Sequence, residues 1–196
     1  MMSGENLQHE NLNNKKVIIV HGYTASPEKN WFPWLKAQLE QCGASVFVPA
    51  MPDPQAPDPQ RWLQFLLDAN IKLDTNTVLI GHSLGCVSVL RFLAEQRQRV
   101  GGYIFVSGFT DEQKTLPELK PHTEFIFDYP YLKSLADYRV SVISNNDQIV
   151  SPQSSRTLAD NLETEVITVE NAGHFLDREG FCEFPLILAL LKNWRC

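Results

Sequence analysis

The segment Gly81-His82-Ser83-Leu84-Gly85 most constrains what this chain can fold into. Ahead of it runs Thr77-Val78-Leu79-Ile80, a short, mostly apolar and β-branched run with the pattern of a strand covered on both faces. Behind it runs Cys86-Val87-Ser88-Val89-Leu90-Arg91-Phe92-Leu93-Ala94, which reads as a helix with a buried face. A serine between a buried strand and a buried helix must sit on a very tight turn. Glycine on either side removes the side chains that would hold the two backbones apart. Such a turn lifts the Ser83 hydroxyl out of the sheet, where a base and a substrate can both reach it.

The same alternation runs along the chain. Strand candidates are Lys16–Val20, Ser45–Val48, Thr77–Ile80, Tyr103–Val106, Arg139–Ile143 and Glu165–Val169. Helix candidates are Trp31–Cys42, Pro59–Ile71, Leu84–Gln98, Pro152–Leu162 and Glu179–Trp194. Pro152 suits a first helical turn with Ser151 as its cap, and Gly43 suits the stop after Cys42. Strands alternating with helices imply an α/β fold, a parallel sheet with helices on both faces. Chemistry then collects at the carboxyl ends of the strands. The stretch Ser107 to Asp137 breaks the rhythm. It holds the aromatics Phe125, Phe127, Tyr129 and Tyr131, and reads either as a flap over the site or as an irregular surface excursion.

Bulk properties narrow the function. With 196 residues, 43% of them hydrophobic, the chain suits one domain with a sizeable core, placed at residues 15–196. Residues 1–14 are polar, lack the form of a signal peptide, and read as a flexible tail on a cytoplasmic protein. A net charge of −6 without a basic block argues against a nucleic-acid partner. The longest apolar stretches, such as Pro185 to Leu191, are too short to cross a bilayer. Cys42, Cys86, Cys182 and Cys196 form no C-x-x-C pair and suggest neither zinc nor, in the cytosol, a disulfide. Cys86 reads as a small apolar packing residue. No metal, cofactor or membrane is expected, and nothing points to a protein partner.

A serine hydroxyl is a weak nucleophile and needs a base, usually a histidine. His9 lies in the polar tail, His82 adjoins Ser83 and points away from it, and His122 sits in the irregular stretch. His21 ends the first strand, where bracing a loop suits it better than chemistry. His174, in Asn171-Ala172-Gly173-His174-Phe175 directly after the last strand, is the candidate base. The imidazole needs a carboxylate to set its tautomer. Asp147, in the loop after the strand Arg139–Ile143, is the candidate, giving the order Ser83, Asp147, His174. The developing oxyanion needs donors. The Leu84 N–H, at the start of the helix, is one. Tyr23, in His21-Gly22-Tyr23-Thr24, is assigned the other, with Gly22 or Thr24 as alternatives; Gly22 is expected to permit an unusual backbone turn there. Trp31 and Trp34 open a helix, either packing on the core or forming walls of the substrate pocket. The loop Met51 to Pro59, with four prolines, reads as a stiff cleft edge.

These residues together resemble the YdeN-like, retinoblastoma-binding serine hydrolase family of small α/β-hydrolases. The resemblance runs from about Val17 to the C-terminus. It is carried by His21-Gly22-Tyr23, Asn30-Trp31-Phe32-Pro33-Trp34-Leu35, Met51-Pro52, Gly81-His82-Ser83-Leu84-Gly85-Cys86, Val106-Ser107-Gly108-Phe109, Asp147-Gln148-Ile149-Val150 and Gly173-His174-Phe175-Leu176. It implies a compact core of about six parallel strands without a large lid, and carries over Ser83 as nucleophile, Asp147 as acid and His174 as base. It implies the machinery more closely than the substrate. The expectation is a metal-free serine hydrolase acting on small, soluble, short-acyl carboxylic esters. The alternatives are an amidase or peptidase with the same three residues, or a non-catalytic interaction module on the same fold.

Overall fold

The β-branched, apolar runs at the centre of the sheet become strands covered on both faces, whereas Ser45–Phe47 and Glu165–Val169 at its two edges stay largely exposed. The computed structural model describes residues 11–194. Among them, β1 (Lys16–Val20), β2 (Ser45–Phe47), β3 (Thr77–His82), β4 (Val100–Val106), β5 (Ala136–Ser144) and β6 (Glu165–Val169) form one sheet in the order β2-β1-β3-β4-β5-β6. Every neighbouring pair is parallel. The period of two along a strand sorts its side chains. Val17, Ile19, Val78 and Ile80 face one layer of the core with α1 (Phe32–Gln41) and α7 (Pro185–Asn193). Ile18, Val20 and Leu79 face the other, with α2 (Pro59–Asp68), α3 (Leu84–Gln96) and α6 (Pro152–Leu162). Each such aliphatic side chain, taken fully out of water, stabilises the fold by about 1.5–3 kcal/mol.

The register brings the site to one edge. Val20 pairs with Gly81, His82 with Val106, and Ser144 with Val169, so these strands deliver their carboxyl ends close together. Leu84 to Leu93 on α3 are all buried, as suits a helix enclosed on every side.

Several boundaries differ from the sequence reading, for local reasons. β4 and β5 begin earlier and run longer, because pairing in the sheet recruits flanking residues, Gly102 and Tyr138 among them, that lie outside the apolar runs. α2 ends at Asp68 rather than Ile71, with Asn70 in a left-handed conformation at φ +50°. The expected helix Glu179–Trp194 is corrected. Asp177–Glu179 makes a single 3-10 turn, Gly180 leaves it at φ +94°, and α7 starts only at Pro185, whose missing N–H suits a first turn. Residues expected in a tail also fold: Leu12 is buried against α1, and its N–H donates to the Cys42 carbonyl at 2.8 Å. Residues 1–10 of that tail, and Cys196, lie outside the described residues.

The stretch 107–137 is more regular than its composition implies. It carries a 3-10 turn at Pro117–Leu119, then α4 (Lys120–Thr123) and α5 (Tyr129–Ser134). The His122 Nε2–H donates to the Pro57 carbonyl at 3.0 Å, and the ring packs edge-on against Trp62, pinning this segment to the proline-rich loop. Among the described residues no helix is long and apolar enough to cross a membrane.

Candidate active site

Ser83 sits between β3 and α3 at φ 55°, ψ −123°, a backbone conformation that L-residues avoid. Close packing forces it there. A Cβ on Gly81 would lie 2.6 Å from the Cys86 Cα, and one on Gly85 would overlap the Val20 carbonyl of β1. Both glycines are therefore required for strand and helix to approach. Cys86 is fully buried with its Sγ toward the Val106 carbonyl, and burial pushes its thiol pKa up.

Asp147 and His174 come from the loops after β5 and β6. The His174 Nδ1–H donates to Asp147 Oδ2 at 2.7 Å. In a neutral ring this leaves Nε2 as a lone pair. Ser83 and His174 line one cavity of about 330 Å³, to which Tyr23, Leu116 and Ile149 also contribute. Asp147 Oδ2 also accepts from the Ser107 hydroxyl at 2.8 Å, and Oδ1 from the Ile149 and Val150 amides at 2.9 and 3.0 Å. Burial by itself would raise the Asp147 pKa. The hydrogen bond and charge of His174, with the Ile149 amide and Ser107 hydroxyl, outweigh it and hold the carboxyl below its ordinary range.

The loop that holds the candidate oxyanion donor Tyr23 follows β1. The Thr24 N–H is taken by the Pro54 carbonyl at 2.8 Å, whereas the Tyr23 N–H has no acceptor among the described residues. That selects Tyr23 over Thr24 as a donor of this loop. Gly22 acts differently from the expectation. The positive φ falls on Thr24, at +58°, and Gly22 supplies clearance: a Cβ there would lie 3.0 Å from both the His82 carbonyl and the Ser83 Cβ. The same Cβ would be 3.6 Å from the Leu84 nitrogen, so this loop abuts the start of α3. His21 accepts from the Met51 N–H at Nε2 (3.0 Å) and donates from Nδ1 to the Gly22 carbonyl (2.9 Å), bracing the loop from below.

The placement of Trp31 and Trp34 as pocket walls is corrected. Trp31 is fully buried among Phe32, His82 and Phe184, and Trp34 packs on the same core; neither lines the cavity. An apolar helix start packs inward here because the α1 face of the sheet needs cover.

Other residues escaped the sequence reading. Ser107, at φ +47° directly after β4, was visible as a hydroxyl at a strand's carboxyl end. The Asn145 and Asn146 side chains accept the Asn171 and Gly173 amides, both at 2.8 Å, stitching the Asp147 loop to the His174 loop. Glu179 Oε2 accepts the His174 and Leu176 amides at 2.8 and 3.0 Å. No local signal marks the asparagine pairs, whose partners meet only through the fold, whereas Glu179 reaches back to amides three and five residues before it. Among the described residues no cluster of His, Cys, Asp and Glu is arranged to hold a metal ion.

Comparison with known proteins shows the family and the fold. Residues 17–193 match the family model described as serine hydrolase. The chain is 38% identical over 182 residues to YdeN of Bacillus subtilis, covering 92% of this chain and 96% of that protein. The YdeN crystal structure superposes with a TM-score of 0.89, over 92% of this chain and 98% of that one. Ferulic-acid-bound Est1E of Butyrivibrio proteoclasticus (TM-score 0.69, 17% identity, 94% and 89% coverage) shares the fold. So does polyneuridine aldehyde esterase (TM-score 0.63, 14% identity, 90% and 97% coverage).

Proposed function

The chain belongs to the serine hydrolase family, and from that premise we propose that it is a carboxylesterase acting on small, soluble, short-acyl esters through an acyl-enzyme on Ser83. The observation that carries this reading is the Asp147–His174 hydrogen bond of 2.7 Å, opening on the cavity that also holds Ser83. His174 Nε2 takes the Ser83 proton as Oγ bonds to the ester carbonyl carbon. The carbonyl oxygen becomes an oxyanion, held by the Tyr23 and Leu84 amides, each worth about 3–4 kcal/mol in the transition state. The carbon–oxygen bond to the alcohol breaks, and the departing alkoxide takes the proton from His174. Water then adds to the acyl carbon, giving its proton to His174. Collapse of this second intermediate returns the proton to Ser83 Oγ and frees the acid. Asp147 keeps the imidazole in the needed tautomer and stabilises the imidazolium.

The cavity volume supports the choice of substrate size. About 330 Å³ lies at the small end of ligand pockets. A fluorophosphonate probe tests the nucleophile, and a series of esters of increasing acyl length tests the substrate class. Labelling at Ser83 with fastest turnover of short chains is expected. Absence of labelling in folded protein, or a preference for long-chain lipids, would refute it.

A further inference from the structure

The cavity carries two cations that the chemistry above does not use. Lys29 follows the oxyanion loop, Arg178 follows the His174 loop, and both line the cavity of Ser83 and His174. The Asp177 N–H donates to Asn30 Oδ1 at 3.0 Å and ties these two loops together. Lys29 and Arg178 flank that bond, so the fold delivers both to one rim. Neither forms an ion pair among the described residues, although Lys16, Lys36, Arg61, Arg99, Lys120 and Lys133 all do. The only acid in the lining is Asp177, whose Oδ1 accepts the Arg178 backbone N–H at 2.7 Å. The lining residues thus carry net positive charge on a chain whose net charge is −6. The lining residues Tyr23, Ala25, Leu116 and Ile149 bear no formal charge, and Glu118, outside the lining, lies with its carboxylate at the Tyr23 hydroxyl.

Resting on the esterase reading, we propose that this cavity takes an ester carrying a carboxylate, with Lys29 and Arg178 binding the carboxylate at the rim. A guanidinium presents two parallel donors that match a carboxylate, and an ammonium adds a point charge beside it. A concave wall of one sign concentrates oppositely charged substrate even where an isolated surface pair would contribute little. The charged group can sit on the acid or the alcohol portion of the ester.

Paired esters that differ only in charge test this. On the alcohol side they are para-acetoxybenzoate and para-acetoxybenzamide; on the acid side, monomethyl glutarate and the methyl ester of glutaramic acid. In low salt the anionic member of at least one pair should show kcat/KM about tenfold above its neutral partner. That ratio should fall toward unity in the Lys29→Gln/Arg178→Gln double variant and in high salt. The pair that responds locates the carboxylate. A ratio near or below unity in the wild type, or one unchanged in the double variant, overturns the subsite and leaves the esterase reading standing. If no ester is turned over, the esterase reading fails. Protection of Ser83 from the fluorophosphonate probe by glutarate then decides the subsite alone: protection lost in the double variant supports it, and no protection in the wild type overturns it.

Discussion

The His82 ring donates from Nε2 to the backbone carbonyl of His174 at 2.8 Å, so the residue before the proposed nucleophile holds the loop of its proposed base. The two rings lie 5.0 Å apart, and His82 is fully enclosed. Its Nδ1 has no hydrogen-bond partner among the described residues, and the Trp31 ring packs against it with centroids 5.8 Å apart. We expect His82→Ala to lower kcat by about tenfold to a hundredfold with little change in KM, since the donor acts on the base and not on substrate. Steady-state kinetics and the labelling rate at Ser83 should fall together. An unchanged kcat in folded variant protein would show that the His174 loop holds itself.

The paired carboxylate should matter more. Asp147→Asn keeps the shape but reverses the hydrogen-bond logic at Nδ1, and kcat is expected to drop by about 10³–10⁴-fold. Ser107→Ala removes only one of the two groups on Oδ2, which predicts a loss of about fivefold to tenfold. Comparing the two variants separates tautomer control from support of the carboxylate. Equal losses would contradict that division.

The backbone at Ser83 predicts an unusual stability order. At φ 55° and ψ −123° a Cβ is strained, and glycine is not. Ser83→Gly and Ser83→Ala should both abolish turnover, yet the glycine variant should be the more stable by about 1 kcal/mol, after allowing for its greater unfolded-state entropy. Urea unfolding measures this directly. Equal midpoints would mean that the turn carries no strain.

Much of this was legible because the signals are local. The strand–turn–helix pattern around Ser83 marks the turn that the structure shows there, and His174 and Asp147 follow strands whose apolar runs are plain in the sequence. The shortfalls share one cause. Ser107, Asn145 and Asn146 act on partners supplied by other elements, and the apolar surface of Trp31 suits a core first and a pocket wall second. Only the register of the sheet decides which loops meet. The helical stretch between β4 and α5 was hidden because its short turns leave no sustained period to read.

Glu179 offers a test of support that comes from within the His174 loop itself. Its carboxylate gathers the amides of His174 and Leu176, across a turn where Gly173 takes φ +58°. Glu179→Ala should free the loop and cut kcat by about tenfold, while Glu179→Gln, which keeps an acceptor oxygen, should recover most of it. Failure of Gln to rescue would point to charge and not to hydrogen bonding as the contribution of this residue.

Acid should destabilise the fold well above the range of ordinary carboxylates. His21, His82 and His122 are buried, and burial lowers each pKa from its usual 6.5, that of His82 to about 3. Below pH 6.5 the unfolded chain binds protons at these rings that the folded chain excludes, so stability falls as pH falls. The slope reaches at most about 1.4 kcal/mol per pH unit for each ring. Asp147 adds to the loss at the acid end: its folded pKa lies below the usual 3.8, so its contribution is present above 3.8 and disappears as pH drops through the folded value. Urea midpoints should hold near neutrality and decline steadily between about pH 6.5 and pH 4. His122 is the ring to remove, since it lies apart from the catalytic loops and bonds only the Pro57 carbonyl. His122→Gln should make the decline shallower, and an unchanged slope would mean that this ring stays protonatable in the folded state.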